Sequence, residues 1–297
     1  MEFKRGLDDT IIKDLKQASL FNNKIKKDIQ EGDVFPAIRE NRIDFYYYNS
    51  KLFSYDKKFK THSKFAFVPT EYKPDYVTEG QSIGADNKIA SFEEGYKNIK
   101  ERAKLYSTLE ATGVHDICKN GNIVRYNNLE YMVLDIEIAF TKTKEEISGT
   151  IEQEEKQKKQ NRIDLLLYNI KEQELLFVEA KHFSNKEIRP DNDKKLDVAN
   201  QIARYNKEIT DHSSEILSVY KKYIQDINTI FELTLPEPKS IYAECGLVIF
   251  GFDDIIRDRY LKKEVNPALE NSNVKFYEKG DSKKIDIKTL YEAIRNS

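Results

Sequence analysis

The sequence predicts an α/β chain: a mixed central sheet flanked by helices, preceded by a β-rich N-terminal part. Three observations predict it. Apolar residues recur with helical spacing over 91–112, 194–209 and 214–231. Stretch 161–181 reads as a hairpin of two apolar runs about a polar middle, and 131–140 and 245–252 read as strands beside it. Residues 34–68 are strand-like, and the hairpin strands over 41–58 are tyrosine-rich and half polar, as expected of an antiparallel sheet with one wet face.

In chain order, 8–29 has helical spacing and 34–68 is strand-like. Residues 69–87 hold two prolines and two glycines and read as a connecting loop. The mixed-charge run 142–160 has almost no apolar residues and reads as an excursion or exposed helix between core strands. Polar residues 182–193 follow the hairpin, and Leu235-Pro-Glu-Pro238 breaks the chain after the helix over 214–231. A short strand over 274–277 and a helix over 287–294 close it. The expected division is an N-terminal helix and β-rich region over 1–90, a part that shapes substrate access or touches nucleic acid, and a core with a C-terminal extension over 91–297.

Composition narrows the function classes. A chain of 297 residues with 39% hydrophobic content can bury a sizeable core, and 34% charged residues suit a soluble, cytoplasmic protein. No apolar run approaches the roughly 20 residues that span a bilayer, and the start lacks the apolar stretch of a secretory signal. A net charge of −2 offers nucleic acid no global attraction, so binding needs a local basic groove. Cys118 and Cys245 have no metal-ligand spacing, the four histidines form none, and no phosphate-binding glycine loop is present.

The hairpin carries the chemistry. Centring its turn between Lys171 and Glu172 sets Asp164 opposite Glu179, Ile163 opposite Ala180, Leu165 opposite Val178 and Leu167 opposite Leu176. One face is then wholly apolar, and the other holds Arg162, Asp164, Leu166, Phe177, Glu179 and Lys181. A one-residue slip would drive a carboxylate into the apolar face at a cost of several kcal/mol, so the pattern selects its register. Two carboxylates on paired strands lie with Cβ atoms roughly 5 Å apart, close enough to share a hard divalent cation. Lys181 emerges on the same face, where an ammonium can orient an attacking water and offset phosphate charge. A surface hairpin with an ordinary ion pair is the bland alternative.

The order Asp164, an apolar strand, then Glu179-Ala-Lys181 resembles the PD-(D/E)XK nuclease superfamily, although Ile163 stands where the family usually has proline. The resemblance covers about 91–252 and implies a restriction-endonuclease-like αβββαβ core. It implies Mg²⁺ or Mn²⁺ held by Asp164, Glu179 and the backbone carbonyl of Ala180, with Lys181 at the water. It also draws a further acid from the first core strand or helix, for which Glu137 and Glu110 are candidates. Gln201-Ile-Ala-Arg-Tyr205 is similar to the Gln-x-x-x-Tyr signature of RecB-like members, whose two side chains share a helix face toward nucleic acid.

A look-alike precedes it. Asn41-Arg-Ile-Asp44 repeats Asn161-Arg-Ile-Asp164, and its hairpin ends in Asp56-Lys-Lys58. Its half-polar strands and the absence of a following helix assign catalysis to the later copy. Lys51, Lys57, Lys58, Lys60 and Lys64 lie among Phe53, Tyr55, Phe59, Phe65 and Phe67, a mixture for phosphates and bases or, blandly, a solvated meander with rings inside.

The expected function is metal-dependent phosphodiester hydrolysis, with DNA favoured over RNA as partner and bacterial or phage-related defence or restriction as the setting. A catalytically silent module that binds nucleic acid or a partner protein, and an RNA-cleaving toxin, are the alternatives. A homo-oligomer or a partner subunit stays open.

Overall fold

The computed structural model describes residues 3–66, 75–83, 87–140, 162–193 and 195–297. The charged run 142–160, much of the loop 69–87, Phe67 and Lys194 lie outside the described residues. Among the described residues the protein is mixed α/β, with a five-stranded antiparallel sheet, a six-stranded mixed sheet, a two-stranded antiparallel ribbon and helices beside them. It divides into two compact units, one of residues 4–127 and 222–234, the other of residues 1–3, 128–221 and 235–297.

The first unit opens with α1 (Asp9–Gln17), a π-helical turn over Phe21–Ile25 and α2 (Lys26–Glu31). Gly32 ends this run at a φ of 79°, a left-handed backbone that glycine adopts without strain. Strands β1 (Phe35–Arg39), β2 (Arg42–Tyr47), β3 (Ser50–Tyr55), β4 (Phe59–His62) and β5 (Tyr76–Thr78) follow as a meander paired in that order. A small ribbon of β6 (Ser82–Ile83) and β7 (Asn87–Lys88) comes next. Phe45 and Phe53 are fully buried and Tyr55 and Phe65 nearly so, so these rings build the core and are not free to stack bases. The predicted helix over 91–112 is two helices, α3 (Tyr96–Leu105) and α4 (Leu109–Asn120), in this unit. The break has a local cause: Thr108 Oγ1 accepts from the Ala111 N–H and starts a fresh helix, as an N-cap does.

The second unit is built on a sheet in the order β13-β12-β10-β9-β8. Its strands are β8 (Tyr131–Ala139), β9 (Arg162–Asn169), β10 (Glu174–His182), β11 (Ser240–Ile241), β12 (Gly246–Phe250) and β13 (Phe276–Lys279), with β11 beside the start of β10. Strands β8, β9 and β10 are antiparallel neighbours, whereas β12 runs parallel to β10 and β13 parallel to β12. A parallel neighbour needs a long crossover, and α5 (Asp197–Asp211) with α6 (Ser213–Phe231) supplies it. Then come α7 (Asp254–Ile256), a π-helical stretch over Arg257–Val265, α8 (Asn266–Asn271) and α9 (Ile287–Asn296).

Helices cover both faces of this sheet, which is why β9 and β10 are apolar almost throughout. On one face Tyr291 and Arg295 of α9 bind Glu174 at 2.7 and 3.0 Å. Ile294 of the same helix lies so near Gly246 that a Cβ there would meet its Cδ1 at 2.5 Å. On the other face the Tyr220 ring packs edge-on to Phe177, and its hydroxyl donates to buried Asp135 at 2.9 Å.

Candidate active site

The β9–β10 pairing has the predicted register: Leu176 faces Leu167 and Val178 faces Leu165. The ladder stops at Val178 and Leu165, one step before Glu179 and Asp164 would pair. Beyond that step β10 continues on its other edge, with Glu179, Ala180, Lys181 and His182 paired to β12. The peptide edge left by β9 is taken by a side chain, because the Ala180 N–H donates to Asp164 Oδ2 at 2.8 Å. The Ala180 carbonyl leaves the strand on the same edge as that N–H. The sheet therefore opens where the two acids stand.

Glu179 is 1% exposed and Lys181 5%, so both are committed to the interior. Buried charges must be paired. Lys181 Nζ lies 2.7 Å from Glu179 Oε1 and 2.9 Å from Glu187 Oε2. Glu187, which the sequence reading passed over, is held by the 3₁₀ turn Lys186–Ile188. Asn185 Oδ1 accepts the Glu187 N–H at 2.9 Å, and fully buried Ile188 anchors the turn. Its only prior signal was membership of a polar stretch after the lysine strand.

Glu137 sits on β8 between Ile136, which pairs with Leu165, and Ile138, which pairs with Ile163. That register sets it across from Asp164. The backbone of Glu137 is left-handed at a φ of 51°, a conformation that costs a non-glycine residue about 1 kcal/mol or more. Its Oε2 takes Arg162 Nη1 at 3.2 Å. Glu110 belongs to α4 in the other unit.

Gln201 and Tyr205 come together at the same place. Gln201 Nε2 donates to the Tyr205 hydroxyl at 2.7 Å, and that hydroxyl donates to the Arg162 carbonyl at 2.8 Å. Tyr205 is fully buried, so its hydroxyl ties α5 to β9 two residues before Asp164 and does not reach out of the fold. Burial, and then the charges of Glu179 and Asp164, push its hydroxyl above the ordinary tyrosine range. Cys245 is a second residue the sequence left out. Burial and the same two carboxylates push its thiol up, and its N–H donates to Asn206 of α5 at 2.6 Å. His182 is on the opposite face, over Gly251, with Nδ1 2.8 Å from Ser184 Oγ.

The earlier hairpin is arranged differently. Asp44 pairs with Ser54, not with Asp56, and is gripped by Arg42 at 2.9 and 3.1 Å with Arg39 at 4.0 Å. Asp56 pairs with Lys60 at 2.7 Å. Among the described residues, Asp28, Glu31 and Asp33 form the one group of three with ligand oxygens within 4.8 Å of one another. Lys100 at 2.5 Å and the Tyr96 hydroxyl at 2.8 Å already hold Asp28, and Lys119 at 2.9 Å holds Asp33. With these half-buried aspartates already bound to lysine and tyrosine, the group is a salt-bridge network.

The donor set Asp164, Glu179 and the Ala180 carbonyl is all oxygen, the preference of Mg²⁺ or Mn²⁺. One of its members, Glu179, already binds a cation, the Lys181 ammonium. Among the described residues, no helix is long and apolar enough to cross a membrane. Compared with protein-family models, with curated proteins and with solved structures, the chain matches none.

Proposed function

We propose that this protein is a metal-dependent nuclease that hydrolyses phosphodiester bonds, with DNA as the favoured polymer. The single observation that carries the reading is local. Asp164 and Glu179 are the next residues after the last β9–β10 pair, Leu165 with Val178, where the ladder opens, with the Lys181 ammonium 2.7 Å from Glu179. Two neighbouring carboxylates repel, and a divalent cation shared between them would relieve that repulsion.

In this reading the second unit is a restriction-endonuclease-like core. The three antiparallel strands, the crossover through α5 and the parallel strand β12 support it. Asp164, Glu179 and the Ala180 carbonyl would hold Mg²⁺ or Mn²⁺, which when bound supplies Lewis acidity and a template for the phosphate. Lys181 orients the attacking water and offsets negative charge on the phosphate oxygens. Glu137 stands one strand away as a further acid. Gln201 and Tyr205 hold α5 against β9, and so position Asp164. A cytoplasmic role in defence or restriction fits a chain of this kind.

The test is cleavage of linear, circular and single-stranded DNA and of RNA by the full chain, with Mn²⁺ or with EDTA. Cleavage is expected with Mn²⁺ alone and is lost in Glu179→Ala and Lys181→Ala. Activity that survives both substitutions and disappears in Asp56→Ala would move the site to the earlier hairpin. No cleavage of any substrate would favour a binding module.

A further inference from the structure

The ammonium of Lys181 lies between two carboxylates of different standing. Glu179 is on the strand and 2% exposed in its side chain, whereas Glu187 is on the turn and 35% exposed. Glu179 is also one of the two acids that would hold a divalent cation, and one carboxylate edge cannot serve an ammonium and a metal equally well. The lysine then needs a second place to stay. Glu187, 2.9 Å from Nζ on a turn pinned by Asn185 and Ile188, offers one.

We propose that Glu187 is a positioning residue that retains Lys181 at the site when Glu179 turns to a divalent cation. The inference rests on the nuclease reading of the same site. Of these two carboxylates, removal of Glu187 leaves Glu179 to the ammonium, which then competes with the metal for it. With the ammonium gone, Glu187 has nothing to retain.

A double-mutant cycle on the full chain separates this role from a general loss of charge. Mn²⁺ binding is measured by electron paramagnetic resonance for wild type, Glu187→Gln, Lys181→Met and the double variant, with circular dichroism to verify folding. Glu187→Gln is expected to weaken Mn²⁺ binding about tenfold in the wild-type background and less than about threefold in Lys181→Met. Lys181→Met alone is expected to bind Mn²⁺ more tightly than wild type. Equal losses in both backgrounds would make Glu187 a direct ligand or a plain charge and overturn the proposal. So would an unchanged affinity in Glu187→Gln. If wild type binds no Mn²⁺, the metal reading falls and takes this inference with it. Where DNA is cleaved, Glu187→Gln should lower kcat and leave KM for DNA nearly unchanged, the mark of a group that acts through Lys181.

Discussion

Removing the charge of Asp44 and that of Asp164 should have opposite consequences, although both follow the same Asn-Arg-Ile. The Asp44 side chain is 2% exposed and bonded to Arg42, 40% exposed, with Arg39, 10% exposed, nearby. Stripping one partner from a fully buried pair costs about 3–5 kcal/mol. Arg42 can turn to water, which reduces the expected loss for Asp44→Asn to about 2 kcal/mol. With a urea slope of about 2 kcal/mol per M, the midpoint falls by about 1 M. Asp164→Asn keeps an oxygen for the Ala180 N–H and removes a repulsion with Glu179, so its midpoint should move by less than about 0.3 M. Far-UV circular dichroism in urea measures both, and the cleavage assay is run beside it. Cleavage is expected to survive Asp44→Asn and to vanish in Asp164→Asn. Equal falls in midpoint, or loss of cleavage in Asp44→Asn at unchanged stability, would refute the distinction between strut and site.

Other outcomes follow from the same structure. Tyr205→Phe deletes the hydroxyl that joins Gln201 to the Arg162 carbonyl; it should cost about 1–2 kcal/mol in urea unfolding and lower kcat more than it raises KM. Gly246→Ala drives a methyl into Ile294 and should cost about 1–3 kcal/mol, and the Gly246→Ala/Ile294→Val double variant should lose less than the sum of the two single changes. Burial lowers His115 from 6.5 to about 4 in the folded protein, so it binds its proton more weakly there than in the unfolded chain. Its stabilising contribution is therefore present above pH 6.5 and is lost as pH falls from 6.5 toward 4, by up to about 3 kcal/mol. His115→Gln should flatten that part of the curve of unfolding midpoint against pH.

What could be read from the sequence was what a short-range pattern determines. The period-two alternation of 161–181, with two acids that tolerate only one face, selected the observed pairing of β9 with β10 without reference to any other element. The helical spacing of 194–209 located most of α5. The same periodicity ran past the break at Thr108, because a hydroxyl cap interrupts a helix without disturbing its apolar rhythm. The sequence ranked the two Asn-Arg-Ile-Asp copies by the strands and helix around them; the tertiary structure shows which partner each acid meets. Arg42 binds Asp44, which has Ala37 opposite it on β1, whereas Arg162 binds Glu137, which β8 supplies from a distant part of the chain. The second carboxylate on Lys181 is likewise supplied by the turn at Glu187. A sequence pattern determines which face a side chain takes; which charge it meets there depends on the segments that fold against it.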